Sequence, residues 1–423
     1  FIPAVFESGA ICVLTEKKID VPQGKVAILV QSTFKALGDV AAYYRGLFQI
    51  PVIAVTGSVG KTTTKEMIAA VLSKEFNILK TEGNYNNEIG LPLTIFKMNK
   101  NHQAVVLEMG MSGFGEIERL TEIGAPKIGV ITNIGMSHIE KLGSKENILK
   151  AKMELANGLK KEGILILNLD DDMLSSVECP LGIRTIKFGL LKKNANDIQV
   201  NDKSNIEISD FKADYNASEI QLNGESGTVF TLSCKKGIFE VFIEVPGIHN
   251  VYNALAAFAV GMELGVAPQK AIKGIAEFNP GKMRMEIFEK NGIKIINDSY
   301  NASPQSMIAA IEVLKQFTDK RKIAVLGEML ELGDWSEQAH EMVGEAISGI
   351  DLVVCIGKSA MSTARGARSA GLKDHSINVF NNNIEASEFL KNRITKNDVI
   401  LFKASRGSKV EEVIYNLFHC SLI

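Results

Sequence analysis

Several things are scarce in this sequence. Its five cysteines, Cys12, Cys179, Cys234, Cys355 and Cys420, are odd in number, far apart and without a CxxC pair. That excludes a disulfide framework and a paired-thiol zinc site, and it predicts reduced, mostly packed thiols in a cytoplasmic protein. No apolar run approaches the roughly 18–20 residues of a membrane span, and no signal-peptide pattern stands at the start, so no membrane insertion is expected. The charge is nearly balanced, 47 basic against 49 acidic side chains for a net -2. No global field exists to hold nucleic acid or an anionic membrane. An anionic ligand has to be captured by a local device. An initiator Met is also lacking: the chain opens Phe1-Ile2-Pro3, and Ala10 to Leu14 reads as an interior strand, so the natural N-terminus is expected to be missing.

What is present is ample core material. With 423 residues, 46% hydrophobic and 23% charged, the chain predicts two to four compact globular units. Short β-branched runs alternate with amphipathic stretches, the pattern of parallel sheets flanked by helices, so the fold class is α/β. Strands are expected at 25–30, 51–55, 104–107, 128–131 and 164–167, with helices between them. From about Asn196 to Val245 closely spaced alternating strands with turns such as Asn223-Gly224 predict an antiparallel layer, buried on one face, on the same domain. Helical spacing returns at His249 to Leu264, and a second helix is expected to end near Phe278. Asn279-Pro280-Gly281-Lys282 is a breaker cluster and the expected domain boundary. Beyond it, 293–296, 323–326, 352–356 and 399–402 read as strands of a second α/β unit.

The strand Val52 to Val55 runs into Thr56-Gly57-Ser58-Val59-Gly60-Lys61-Thr62-Thr63-Thr64 and then a helix. Glycines let backbone N–H groups wrap an anion, and the helix N-terminus adds partial positive charge. In such a loop the lysine, Lys61, reaches the β- and γ-phosphates and the Thr62 hydroxyl ligates Mg2+. Val55 holds the first Gly position of the longer GxxxxGK[ST] form, so this is the shorter TGxxGKT loop. Guanine recognition is disfavoured, because Asn99-Lys100-Asn101 is followed by His102 where a carboxylate is needed, which favours ATP. A phosphotransferase or a nucleotide-binding regulator stays open on this loop alone.

Ligands collect at the strand ends of open α/β sheets. Glu108 ends one strand, and His138 follows another in Thr-Asn-Ile-Gly-Met-Ser-His. Either suits a second Mg2+, and either, taken singly, is also an ordinary solvated or packed residue. Lys152, in Ala-Lys-Met-Glu on a helix starting near Ser144, reads by spacing as a surface charge.

Taken in order, nine stretches resemble the Mur ligase family: TGSVGKTTTKEM from Thr56, TEGNYNNEIGLPLT from Thr81, LEMGMSGFGEI from Leu107, TNIGMSHIEKLGS from Thr132, AKMEL from Ala151, PGIHNVYNALAA from Pro246, NDSYNASPQSM from Asn297, LGEMLELGDWSEQAHE from Leu326 and LFKASRGSKVEEV from Leu401. The resemblance implies three domains. Residues 1–49 would be the remainder of an N-terminal UDP-sugar-binding domain, 50–280 a central P-loop ATPase domain and 281–423 a C-terminal Rossmann-like domain. It implies an ATP-dependent amide ligase that joins D-alanyl-D-alanine to UDP-N-acetylmuramoyl-tripeptide through an acyl phosphate, with both molecules as substrates and the protein as a monomer. A folylpolyglutamate-type amino-acid ligase of the same superfamily is the alternative.

The resemblance also distributes roles. Thr56, Gly57, Ser58, Val59, Gly60, Lys61, Thr62 and Thr63 would hold the ATP phosphates. Thr62 and Glu108 would serve one Mg2+ ion and His138 a second. Lys152 falls where related ligases carry a lysine carbamoylated by CO2. His249, Asn250 and Asn253 would face the adenine and ribose, with a helix cap by Asn250 as the plain reading. Arg284, Asp298, Tyr300 and Asn301 would approach the nucleotide as the domains close. Asn84, Asn86 and Asn87 would read substrate carboxylates and amides, Ser405 and Arg406 the peptide carboxylate, and Glu328 would orient the dipeptide.

Overall fold

The structure, a computed structural model, describes residues 1–191 and 213–419. Residues 196–212 of the expected antiparallel block, and Cys420, lie outside the described residues. Three sheets organise the chain.

The first is small. Helix α1 (Ile2–Glu7) precedes β1 (Cys12–Thr15), which pairs in parallel with β2 (Val26–Leu29), and α2 (Thr33–Gly46) follows, capped by the Ser32 side chain. The expectation of an interior strand is corrected here. Only Thr15 of β1 is buried, and Ile11, Ile28 and Leu29 are 68%, 48% and 63% exposed, so among the described residues the pair is left largely uncovered on both faces.

The second sheet has nine strands. It is built from β3 (Val52–Thr56), α3 (Lys61–Leu72), β4 (Ile78–Lys80), α4 (Gly90–Ile95), β5 (Ala104–Glu108), α5 (Glu116–Gly124), β6 (Ile128–Ile131), α6 (Ile139–Leu142), α7 (Lys145–Gly158) and β7 (Ile164–Asn168). It continues through β8 (Arg184–Leu190), β9 (Tyr215–Leu222), β10 (Thr228–Cys234) and β11 (Gly237–Ile243), before α8 (Ile248–Glu263) and α9 (Pro268–Ala276). The order β11-β10-β9-β8-β7-β6-β3-β5-β4 puts β3 between β6 and β5, where the chain turns to build in the other direction. The strands from β4 to β9 are parallel, and the central ones, β3, β5, β6 and β7, are buried throughout and read as nearly continuous apolar runs. The hairpins β9–β10 and β10–β11 are antiparallel, as the alternation predicts. They form no separate layer, however, since β9 pairs in parallel with β8 and simply widens the sheet. Helix α8 is buried almost all round, its Phe258 ring stacking edge-on against Tyr215 at 5.9 Å.

The third sheet comprises β12 (Glu286–Lys290), β13 (Ile293–Asn297), α10 (Pro304–Lys315), β14 (Arg321–Leu326), α11 (Ser336–Glu345) and β15 (Leu352–Ile356). It closes with α12 (Ala360–Ser369), β16 (Ile377–Phe380), α13 (Asn383–Lys391), β17 (Asp398–Lys403) and α14 (Glu411–Phe418). Its order is β12-β13-β17-β14-β15-β16, parallel except for β12. One apolar core runs on from the nine-stranded sheet into the α10–α11 side of the six-stranded one, while a second fills the opposite face under α13 and α14. No helix among the described residues is long and apolar enough to cross a membrane, and the four described cysteines are unpaired, with Cys12 exposed.

Candidate active site

The carboxyl ends of β3, β5 and β6 face those of β13, β14 and β17 across a cavity of about 650 Å³. Loops from both sheets line it, as the strand-end rule requires.

The loop after β3 turns on two glycines. Gly57 has φ +150, and a Cβ there would collide with the Thr132 hydroxyl; Gly60 has φ +84 and caps α3. The loop is tied to the segment after β6: Asn133 accepts from the Ser58 N–H through its carbonyl (3.0 Å) and from the Val59 N–H through Oδ1 (2.9 Å), and Gly135 N–H donates to Ser58 Oγ (2.8 Å). The N–H groups of Ser58 and Val59 are thus spent on protein. The first-turn N–H groups of α3, at Lys61, Thr62 and Thr63, have no intrahelical acceptor and open toward the cavity. Lys61 Nζ donates to the Gly57 carbonyl at 2.8 Å, and burial lowers its pKa, with Glu108 opposing that shift and Arg284 adding to it.

Glu108, at the end of β5, is 3% exposed. Its N–H donates to Thr81 Oγ1 (3.0 Å) and its Oε1 accepts from Asn86 Nδ2 (2.8 Å). Its Oε2 is buried with no partner among the described residues. A buried anionic oxygen left bare beside a threonine hydroxyl and a phosphate loop is the donor chemistry of Mg2+, which takes one or two carboxylates and completes its shell with phosphate and water. No cluster of three His, Cys, Asp or Glu side chains occurs among the described residues, so a dedicated all-protein metal cage is not what this site offers.

His138 sits at φ +65 before α6, its Nδ1 2.5 Å from Glu331 Oε2 on the loop after β14. This pair joins the two large sheets. Its hydrogen bond to His138 lowers the Glu331 pKa. Close by, the turn Gly333–Trp335 lies against α6, with the Glu140 side chain 3.0 Å from where a Gly333 Cβ would stand.

Lys152 corrects the surface-charge reading. It is 1% exposed on α7, and no hydrogen bond or ion pair holds its ammonium among the described residues. Burial, then the nearby Lys61, drives its pKa well below the ordinary lysine value.

On the far wall, the Arg284 guanidinium lies 3.8 Å above the Tyr300 ring centroid. Asp298 Oδ2 accepts from Lys403 Nζ at 2.5 Å. His249 faces the same corner, and burial pushes its imidazole down to about 4. At neutral pH it is therefore uncharged when folded. Between pH 6.5 and 4 the unfolded chain takes up a proton that the folded one refuses, so stability should fall as the pH drops, by about 3 kcal/mol in total. Urea midpoints across that range should show the slope, and His249→Gln should flatten it.

Asn250 does not cap α8, since Gly247 holds that position. Instead a run of amides closes on itself: Thr64 Oγ1 donates to Asn253 Oδ1 (2.9 Å), Asn253 Nδ2 to Asn250 Oδ1 (3.1 Å) and Asn250 Nδ2 to the Pro246 carbonyl (2.8 Å).

The alignment of these features with known proteins is close. Residues 55–261 match the Mur ligase middle domain and 283–406 the Mur ligase, glutamate ligase domain. The UDP-N-acetylmuramoyl-tripeptide--D-alanyl-D-alanine ligase of Bacillus subtilis is 40% identical over all of this chain and 88% of its own length. The chain belongs to the Mur ligase family. Among solved structures, MurF from Acinetobacter baumannii superposes with TM-score 0.88 at 32% identity, covering 99% of this chain and 87% of its own. MurF from Thermotoga maritima, in complex with ADP, gives 0.84 at 30% identity, covering 99% and 91%.

Most of the Mur ligase residues read from sequence meet on the cavity: Ser58 to Thr63, Asn84, Asn86, Asn87, Glu108, His138, His249, Asn250, Asn253, Arg284, Asp298, Tyr300, Asn301, Ser405 and Arg406. Thr56, Gly57, Lys152 and Glu328 do not line it. Glu328 instead fastens the loop after β15: its Oε1 accepts from the backbone N–H groups of Lys358 (2.8 Å) and Ser359 (3.3 Å). Ser405 is buried, taking the Leu330 N–H (3.0 Å) and donating to the Ala302 carbonyl (3.4 Å), which ties together the three loops after β13, β14 and β17. Arg406 pairs with Glu411. Glu331 and Lys403 also line the cavity, and the sequence signal for Lys403 is a lysine directly after the apolar run Val399 to Phe402.

Proposed function

We propose that this chain is an ATP-dependent amide ligase that adds D-alanyl-D-alanine to UDP-N-acetylmuramoyl-tripeptide in peptidoglycan precursor synthesis. The observation that carries the reading is the meeting, in one cavity, of the α3 N-terminus with Lys61 and Thr62, the bare Glu108 oxygen, and Arg284 and Tyr300 from the opposite sheet. A carboxylate is a poor acylating agent, because oxide does not leave. The tripeptide carboxylate attacks the γ-phosphorus of ATP, ADP departs, and the acyl phosphate is opened at its carbonyl carbon by the dipeptide amine, which releases phosphate and one proton.

In this scheme Lys61 and the first-turn N–H groups of α3 hold the phosphates, and Arg284, Tyr300 and Asp298 meet the nucleotide from the other side. Thr62 and Glu108 would hold one Mg2+ and His138 a second; bound there, the ions neutralise charge developing on the transferring phosphoryl oxygens. Lys152, whose burial favours the neutral amine, attacks the carbon of CO2 in that form and gives up an N–H proton, leaving a carbamate anion. His249, Asn250 and Asn253 line the nucleotide side, Asn84, Asn86 and Asn87 the tripeptide side, and Asn301 and Arg406 the dipeptide side. The chain divides near 50 and 281 and works as a cytoplasmic monomer.

The test is stoichiometric. ADP release should require both the tripeptide substrate and the dipeptide, and 18O placed on the tripeptide carboxylate should appear in the released phosphate. Phosphate without label would overturn the acyl phosphate, and phosphorylation of a hydroxyl with no phosphate released would favour a phosphotransferase.

A further inference from the structure

Lys403 ends β17, a middle strand of the six-stranded sheet whose six residues are all buried, and it is itself 2% exposed. All of its donor capacity goes to one turn: Nζ reaches Asp298 Oδ2 at 2.5 Å, the Asn301 carbonyl at 3.0 Å and the Asp298 carbonyl at 3.4 Å. The other carboxylate oxygen, Asp298 Oδ1, accepts from the Met285 N–H at 3.1 Å. Two residues back, the Met283 carbonyl accepts from the Tyr300 N–H at 3.1 Å, and the Met283 N–H donates to Glu286 Oε2 at 3.1 Å. Met283 and Met285 have φ +58 and +50, a region that side-chain-bearing residues adopt only when their surroundings impose it. Between them stands Arg284, with its guanidinium over Tyr300.

We propose that Lys403 is a positioning residue for nucleotide binding: through Asp298 it holds the left-handed backbone at Met283 and Met285 that aims Arg284 and Tyr300 into the cavity. The inference rests on the reading of that cavity as an ATP site. The lysine lines the cavity, but its ammonium is committed to the 298–301 turn. It acts because a buried ammonium and a buried carboxylate each need the other, and the turn they share leaves the 283–285 segment one conformation that satisfies both.

The experiment is a double-mutant cycle read by ADP binding in the presence of Mg2+, using the full chain and titration calorimetry. Lys403→Met should weaken ADP binding about 30-fold and raise the KM for ATP, with the KM for D-alanyl-D-alanine within about threefold of the unaltered chain. Asp298→Asn should weaken ADP binding similarly. The double variant buries no lone charge, so it should fold even if Lys403→Met does not, and its ADP affinity should be no worse than that of either single change, because the two act through one contact. Thermal midpoints of each variant separate loss of fold from loss of aim. Additive losses in the cycle, unchanged ADP binding in Lys403→Met, or a rise confined to the dipeptide KM would overturn the positioning role. Failure of the unaltered chain to bind ADP would instead overturn the cavity assignment itself.

Discussion

Lys61→Met should lower kcat for ADP release by about 10²–10³-fold while changing ADP affinity much less. Methionine keeps the stem and removes the charge, so the loop need not collapse; Gly57 and Gly60 set its shape, and Asn133 pins it from the loop after β6. What disappears is the one cation at the N-terminus of α3 that is free to leave the Gly57 carbonyl for an incoming phosphate. Phosphoryl transfer gives a protein little covalent work, and catalysis depends on cationic groups where charge accumulates on the equatorial oxygens. A steady-state assay with saturating ATP checks the expectation. A kcat within tenfold of the unaltered chain would place the phosphate elsewhere in the cavity.

Lys152→Ala should cost activity on a similar scale, about 10²–10³-fold, and small carboxylates such as acetate or formate should restore part of it. An ammonium 1% exposed with no counterion among the described residues is an unstable arrangement, and deprotonation relieves it. The neutral amine is then nucleophilic toward CO2, which replaces a buried cation near Lys61 by an anion that Lys61 attracts. Truncation opens a hole the size of the missing side chain, and an added carboxylate can enter it. Full activity without any carboxylate would remove Lys152 from the mechanism. Mass spectrometry of the unaltered chain in bicarbonate should show one added CO2.

The sequence carried the local half of this site. The passage from β3 to α3 is written in a β-branched run, two glycines and a lysine–threonine sequence, and each acts on its own few residues. The same holds for Glu108 at a strand end and for the breaker cluster at 279–282. Contacts set by the folded sheets were harder to read. Nothing in Ala-Lys-Met-Glu signals that the Lys152 position on α7 faces inward, since that depends on how α7 sits against β6. Glu331 reaches His138 across 193 residues, and Lys403 reaches Asp298 across 105. Glu328 and Glu331 sit three apart in one motif, and only the direction of the loop after β14 decides that the first fastens a backbone and the second faces the cavity. The parallel pairing of β9 with β8 is of the same kind, because alternation specifies a strand and its buried face but not its neighbour.

One residue gives the molecule its own optical gauge. Trp335 is the single indole in the chain, 41% exposed, and it sits where the six-stranded half touches α6 of the nine-stranded half. The turn it belongs to packs on α6, so separation of the halves would change what surrounds the indole. Its emission wavelength should therefore report opening and closing directly, without an attached dye, and stopped-flow mixing with nucleotide should yield the rate of the motion.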